Sequence, residues 1–293
     1  MRARVFRNPW LPYVLVAPQV LITLVFFFWP AFESLRLSLF RVSPFGDRQV
    51  FTGADNFTRL FTSADYLQSI QVSFVFALGV TFLTLASSLA LAVLASQKIR
   101  GRGVYRSAML WTYGIAPPVS GIIWLFIFHP SYGLVPYLLS TVTAYELNWL
   151  LEGRIAMLLV ILAATWARLG YGVAFYLAGL QSIPDSVLEA ASVDGAGPVR
   201  RFWAITFPLL SPVTFFLFII MMVFAFFETF GIIHAVTQGG PGNATTIMVY
   251  KVYLDGFVNL RLGLSAAESV VLMTMVIVLT MLQFRYTQRK VFY

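Results

Sequence analysis

The residues able to do chemistry in this 293-residue chain are few, and their types exclude most reactions before any fold is considered. There is no Cys, which removes disulfide scaffolds, thiolate metal sites and thiol catalysis. The two His residues, His129 and His234, stand far apart and give no basis for a His-based metal site. The run GGPGNATT, Gly239 to Thr246, has the glycine content of a phosphate-cradling loop. It lacks the Lys-Ser or Lys-Thr that a P-loop needs, and no Walker A sequence occurs anywhere in the chain. The chain therefore does not hydrolyse ATP alone, and the run reads as a Gly-Pro turn. Arg168 is the outlier. It lies near the middle of an apolar run, in TWARLGYGVAFY, where a charge costs about 3 kcal/mol on insertion scales and must face protein or water. Two readings stay open: a place on a substrate path, or a structural pairing with Glu228 or Glu268. Glu228 is itself a second path candidate, although its place near the end of an apolar run also suits an interfacial carboxylate.

Residues 182–211 form a polar, turn-broken insert between two apolar segments, with EAASVDGAGPVRRFWAITFPLLSP running from Glu189 to Pro212. Pro184 suits a first helical turn, where its missing N–H costs nothing, and Asp185 puts negative charge at the positive end of the dipole. A short helix is expected from about Pro184 to Val193. Gly195 can take the left-handed conformation that ends a helix, and Pro198 is placed to open the next. Pro208 should disfavour helix at Phe207, and Pro212 lies where the next apolar run begins. Local chemistry alone describes a solvated helix-turn-helix loop.

The spelling of that loop carries more. Glu189, Ala190 and Ala191, then Asp194, Gly195 and Ala196, then Ile205 and Pro208, resemble the EAA signature of permease subunits in bacterial ATP-binding-cassette importers. LPYVLVAPQ near the start, GADNF at Gly53 to Phe57, AFFETF, GGPGNATT and AAESVVL extend the resemblance over nearly the whole chain. They point to the sugar-importer branch and, within it, to the A-type permeases of glycerol-3-phosphate importers. The resemblance implies a type I importer permease whose segment 182–211 docks in a groove on the ATPase, with Glu189, Ala190, Ala191, Asp194 and Gly195 as coupling residues. It also implies a homologous second permease, an ATP-binding subunit dimer and an extracytoplasmic solute-binding protein. ATP and Mg would then sit on the partner ATPase, and this chain would bind no cofactor. The implied cargo is sn-glycerol-3-phosphate or a glycerophosphodiester, with a sugar or oligosaccharide as the alternative.

Composition leads to the same class independently. Hydrophobic residues make up 59% of the chain and charged residues only 11%, far outside the usage of soluble domains. The expectation is a single all-α, polytopic membrane domain over residues 1–293. Its six transmembrane helices fall at about 11–32, 70–96, 107–128, 155–180, 212–230 and 265–284. The first follows Arg2, Arg4 and Arg7, and is too long for a signal peptide. Gly79, Ala86, Ser87, Ser88 and Ala90 give the second small surfaces for close helix approach. Pro117 and Pro118 should kink or break the third. The fifth carries nine Phe and Met residues, which suit packing.

A net charge of +8 could suggest nucleic acid, but the basic residues occur as short clusters beside apolar runs, which is a topology signal. No nucleic acid is expected as a partner; the lipid bilayer is. Lys98, Arg100, Arg102 and Arg106 belong inside, as do Arg200 and Arg201, and Arg285, Arg289 and Lys290. Glu146, Asn148 and Glu152 mark an outer loop. This assignment puts twelve of the 20 Lys and Arg inside and seven outside, with both termini cytoplasmic. Two other classes fare worse. A secondary transporter should show repeats with interrupted helices and buried coupling carboxylates, and an enzyme should concentrate acid, base or metal ligands. Neither pattern is present in the sequence.

Overall fold

Inside a bilayer no water is available to the backbone, so an apolar run must satisfy its own N–H and C=O groups by forming a helix. The computed structural model, which describes residues 10–97, 100–143 and 147–287, is built accordingly. Arg2, Arg4, Arg7, Lys98, Glu146, Arg289 and Lys290, used above to assign sides, lie outside the described residues. The described residues fall into two compact units, residues 10–63 with 252–271 and residues 64–251 with 272–287.

The first unit opens with α1 (Leu11–Ser38), which carries Pro18 and Pro30 without a break. A π turn at Leu24–Phe28 lies just before Pro30, a local widening of the kind that lets a membrane helix absorb a residue with no N–H. A small hairpin follows that the helical reading did not anticipate. Strands β1 (Phe40–Val42) and β2 (Gln49–Phe51) pair antiparallel, with Phe40 opposite Phe51 and Val42 opposite Gln49. The GADNF run then opens α2 (Asp55–Thr62), where Asn56 is buried. Its amide donates to the carbonyls of Ser38 (2.8 Å) and Phe40 (2.9 Å), tying α2 to the end of α1 and the hairpin.

The second unit holds most of the remaining apolar helices. Helix α3 (Ala64–Ser96) packs along α7 (Gly153–Gln181), as the small residues suggested: a Cβ at Gly79 would lie 2.8 Å from Ile161 Cδ1. Ser88 donates its hydroxyl to Leu169 O across the same contact. Between them, α4 (Arg102–Leu110) is a short, mostly exposed helix whose Arg106 guanidinium donates twice to Ala95 O, at 3.1 Å each. That carbonyl is one of the orphans in the last turn of α3, and a cation there complements the helix dipole.

The third expected span is broken rather than kinked. A 3₁₀ turn at Trp111–Gly114 ends the first half, and α5 (Pro117–Phe128) starts afresh at 107° to it. Pro117 and Pro118 open α5, which is where a residue without an N–H fits. Helix α6 (Leu134–Val142) and α7 follow, then α8 (Asp185–Val193) and α9 (Pro198–Leu209). Helix α10 (Ser211–Phe227) meets α9 at 65°. It ends three residues before the expected boundary, and α11 (Phe230–Val236) starts separately. Helices α12 (Met248–Tyr253) and α13 (Leu262–Thr287) are the last among the described residues. Among the described residues four helices, α1, α3, α7 and α13, are each long and apolar enough to span, and the two bent pairs bring the possible spans to six.

Glycines knit α5 to α11. A Cβ at Gly121 would lie 3.0 Å from Ala235 Cβ and 3.1 Å from Ile232 Cα, and one at Gly231 would lie 2.5 Å from Pro118 Cγ. Ser120 donates to Ala163 O (3.1 Å), joining α5 to α7 as well.

Candidate coupling segment and substrate-path site

The polar insert folds as its punctuation suggests, with two corrections. Pro184 stands one residue before α8 in extended backbone rather than in the first turn, leaving Asp185 to open the helix. Phe207 is helical despite Pro208, because a π turn at Phe202–Thr206 widens α9 just ahead of the proline. The other signals hold. Pro198 starts α9, Pro212 lies in the first turn of α10, and Gly195 has φ +79°. The end of α8 is closed by two reverse bonds, Ala196 N–H to Ala191 O (2.9 Å) and Gly195 N–H to Ser192 O (3.1 Å). This Schellman pairing needs a left-handed residue at Gly195.

All five candidate coupling residues therefore lie on α8 and its terminator. Ala191 is buried, and Leu188 packs against a core of Ala92, Val173, Tyr176 and Leu210. Glu189, Ala190, Asp194 and Gly195 are exposed, and Val193, 87% exposed, extends the outer face. The exposed side of α8 mixes small residues with carboxylates, Ser186, Ala190 and Ser192 with Asp185, Glu189 and Asp194, which suits a groove with a basic rim. Sequence reasoning missed the latch behind it. Arg201 Nη1 donates to Ser192 Oγ at 2.5 Å and holds α9 against α8.

The second candidate site lies on α7. Arg168 forms a salt bridge with Glu228, and its guanidinium carbon stands 4.2 Å from the centroid of the Phe224 ring. Glu228 caps the C-terminal end of α10, where the helix already presents partial negative charge. A carboxylate added there makes the spot strongly attractive to a cation, and Arg168 fills it. Of the two carboxylates proposed as its partner, Glu228 is the one described in contact with it. The side chain of Arg168 is only 20% exposed and that of Glu228 is 52% exposed.

Aromatic rings continue from this pair along α7. Tyr171 and Phe175 share the Arg168 face at helical spacing. Tyr113, in the turn of the broken span, stands 5.4 Å from Tyr171, and Phe216 of α10 stands 5.1 Å from Phe175. Phe224 and Tyr171 were not singled out from sequence. The signal was there in their offsets, Arg168 with Tyr171 at i+3 and Phe224 with Glu228 at i+4. A separate cavity of about 880 Å³ between α3 and the start of α10 is lined by Phe82, Leu89, Phe207 and Phe218 among others, and offers a polar cargo little to bind.

GGPGNATT forms no phosphate cradle. Thr245 and Thr246 are buried and turn their hydroxyls onto the loop's own carbonyls, Gly240 O (2.9 Å) and Gly239 O (3.1 Å). His129 stacks on Tyr132. Among the described residues no cluster of three or more His, Cys, Asp or Glu could hold a metal.

Comparison with known proteins agrees with this architecture. Residues 85–292 match the family described as binding-protein-dependent transport system inner membrane component. The chain is 49% identical over 293 residues to a protein of Rhizobium meliloti (strain 1021) named sn-glycerol-3-phosphate transport system permease protein UgpA, covering 100% of each chain. It is 48% identical over 289 residues to the protein of that name from Escherichia coli O157:H7, covering 99% of this chain and 98% of that one. A solved bacterial alginate ABC transporter, in complex with a periplasmic protein carrying alginate pentasaccharide, contains a chain of the same fold. It matches with a TM-score of 0.82 at 20% identity, over 96% of this chain and 94% of that one. The chain thus belongs to the binding-protein-dependent transport system inner membrane components, as a non-enzymatic permease subunit of an ATP-binding-cassette importer.

Proposed function

We propose that this chain carries sn-glycerol-3-phosphate or glycerophosphodiesters across the bacterial inner membrane, beside a homologous second permease and above an ATP-binding subunit dimer that holds the ATP and Mg. A solute-binding protein delivers the cargo at the outer face, and both termini are cytoplasmic. Helix α8 is the coupling element, with Glu189, Ala190, Ala191, Asp194 and Gly195 at the ATPase, and Arg168 and Glu228 lie on the cargo's path. What supports the cargo is the name borne by relatives 48–49% identical over nearly their full length. What carries the coupling role is the geometry of α8, an exposed helix whose outer face is rich in small residues and carboxylates and whose end is firmly terminated. The test is ATPase activity of the complete complex in proteoliposomes with its binding protein. Hydrolysis should rise with sn-glycerol-3-phosphate and stay basal with an oligosaccharide such as maltotriose. Stimulation by the oligosaccharide alone would overturn the cargo and leave the permease assignment intact.

A further inference from the structure

A broken membrane helix often meets an anion with the free N–H groups of its second half. Here that device is spent. Pro117 and Pro118 have no N–H, and the next two, of Val119 and Ser120, both bond Ala116 O, at 3.0 and 3.1 Å. The first turn of α5 has no backbone donor to offer. The cationic group described in the neighbouring stretch of α7 is the Arg168 guanidinium, and it is already engaged by Glu228 and covered on one face by Phe224.

The exposures give this pair a direction. Arg168 is mostly enclosed while Glu228 is half exposed, so the carboxylate is the more accessible member of the pair. We propose that Glu228 is a resident competitor for Arg168 and that the cargo's phosphate takes its place during passage, so that the pair selects for anionic cargo. This inference rests on the glycerol-phosphate reading above. The phosphate monoester of sn-glycerol-3-phosphate presents three oxygens to the planar guanidinium fork and carries more charge than a carboxylate, so it can win the exchange, whereas a phosphodiester, with a single charge, competes less well. A neutral sugar has nothing to exchange and leaves the pair closed. The displaced carboxylate stays beside the bound phosphate and repels it. A transporter needs that weakness, because a site that holds its cargo too well cannot release it.

Glu228 is a positioning residue, and its variants separate selection from mere structure. The assay is uptake of sn-glycerol-3-phosphate by the complete complex in proteoliposomes with its binding protein, and assembly is read by co-purification of the subunits. Glu228→Gln removes the competitor and should lower both KM and maximal rate, by several-fold each, as cargo is held longer. Arg168→Gln should reduce uptake at least about tenfold. It also strands a carboxylate, so the decisive variant is the double one, Arg168→Gln with Glu228→Gln, which leaves no unpaired charge. The double variant should assemble and still fail to transport. If it transports as wild type does, or fails to assemble, the pair is structural and the inference is overturned. If the wild-type complex does not import sn-glycerol-3-phosphate at all, the cargo reading falls first and takes this inference with it.

Discussion

At Gly195 the backbone sits at φ +79° with no atom within 4 Å of where a Cβ would go, so a side chain there would meet no neighbour and only the backbone would resist. This separates conformation from space. Val at 195 should cost roughly 1–2 kcal/mol in the left-handed region, open the two reverse bonds that end α8, and re-aim the helix. Asn tolerates that region and should retain most of the function. The expected outcome is that Gly195→Val co-purifies little ATPase from membranes and Gly195→Asn much more, with the permease equally abundant in both. Equal ATPase recovery from all three proteins would mean that α8 is not the docking element. Glu189 is a different kind of residue, an exposed carboxylate whose role depends on what faces it.

Between elements, glycine serves contact rather than conformation. At Gly121 the atoms nearest a new Cβ include the Cα and O of Ile232, which are backbone and cannot swing aside. Gly121→Leu should therefore force α5 from α11 and cost about 1–3 kcal/mol, lowering the unfolding temperature of the purified complex in a thermal melt. Gly103→Ala, where no atom lies within 4 Å, should leave it unchanged. Such contacts mark the border of what can be read from the chain alone. The helix starts at Pro198 and Pro212 and the stop at Gly195 were legible, because each depends on the residue's own dihedral or missing N–H. Pro208 misled, since its effect depends on whether the turn before it can widen, and the π turn at Phe202–Thr206 does so. The hairpin of β1 and β2 was hidden in a mixed polar stretch of three-residue strands. The partner of Arg168 could be narrowed to two carboxylates but not chosen, because the choice lies in a contact across 60 residues of sequence.

For the molecule as a whole, the placement of charge makes a statement about sides. Arg100 precedes α4 and Arg102 and Arg106 lie on it, Arg200 and Arg201 lie on α9, and Arg285 lies near the end of α13. If these ends share the cytoplasmic side, single Cys residues placed in the naturally Cys-free chain should report it. A membrane-impermeant thiol reagent applied to intact cells should label Asn148→Cys and spare Ser96→Cys, which should react only after the membrane is opened. The reverse pattern would invert the topology and remove α8 from the ATPase side. The two prolines that open α5 bear on the history of such a molecule. If Arg168 and Glu228 select the cargo's charge as proposed, then with no backbone donors left at that helix start the taste for an anion is entrusted to two side chains and hence to two codons. A descendant could exchange a charged diet for a neutral one by losing Arg168 and Glu228 together, with every helix, turn and docking surface inherited unaltered.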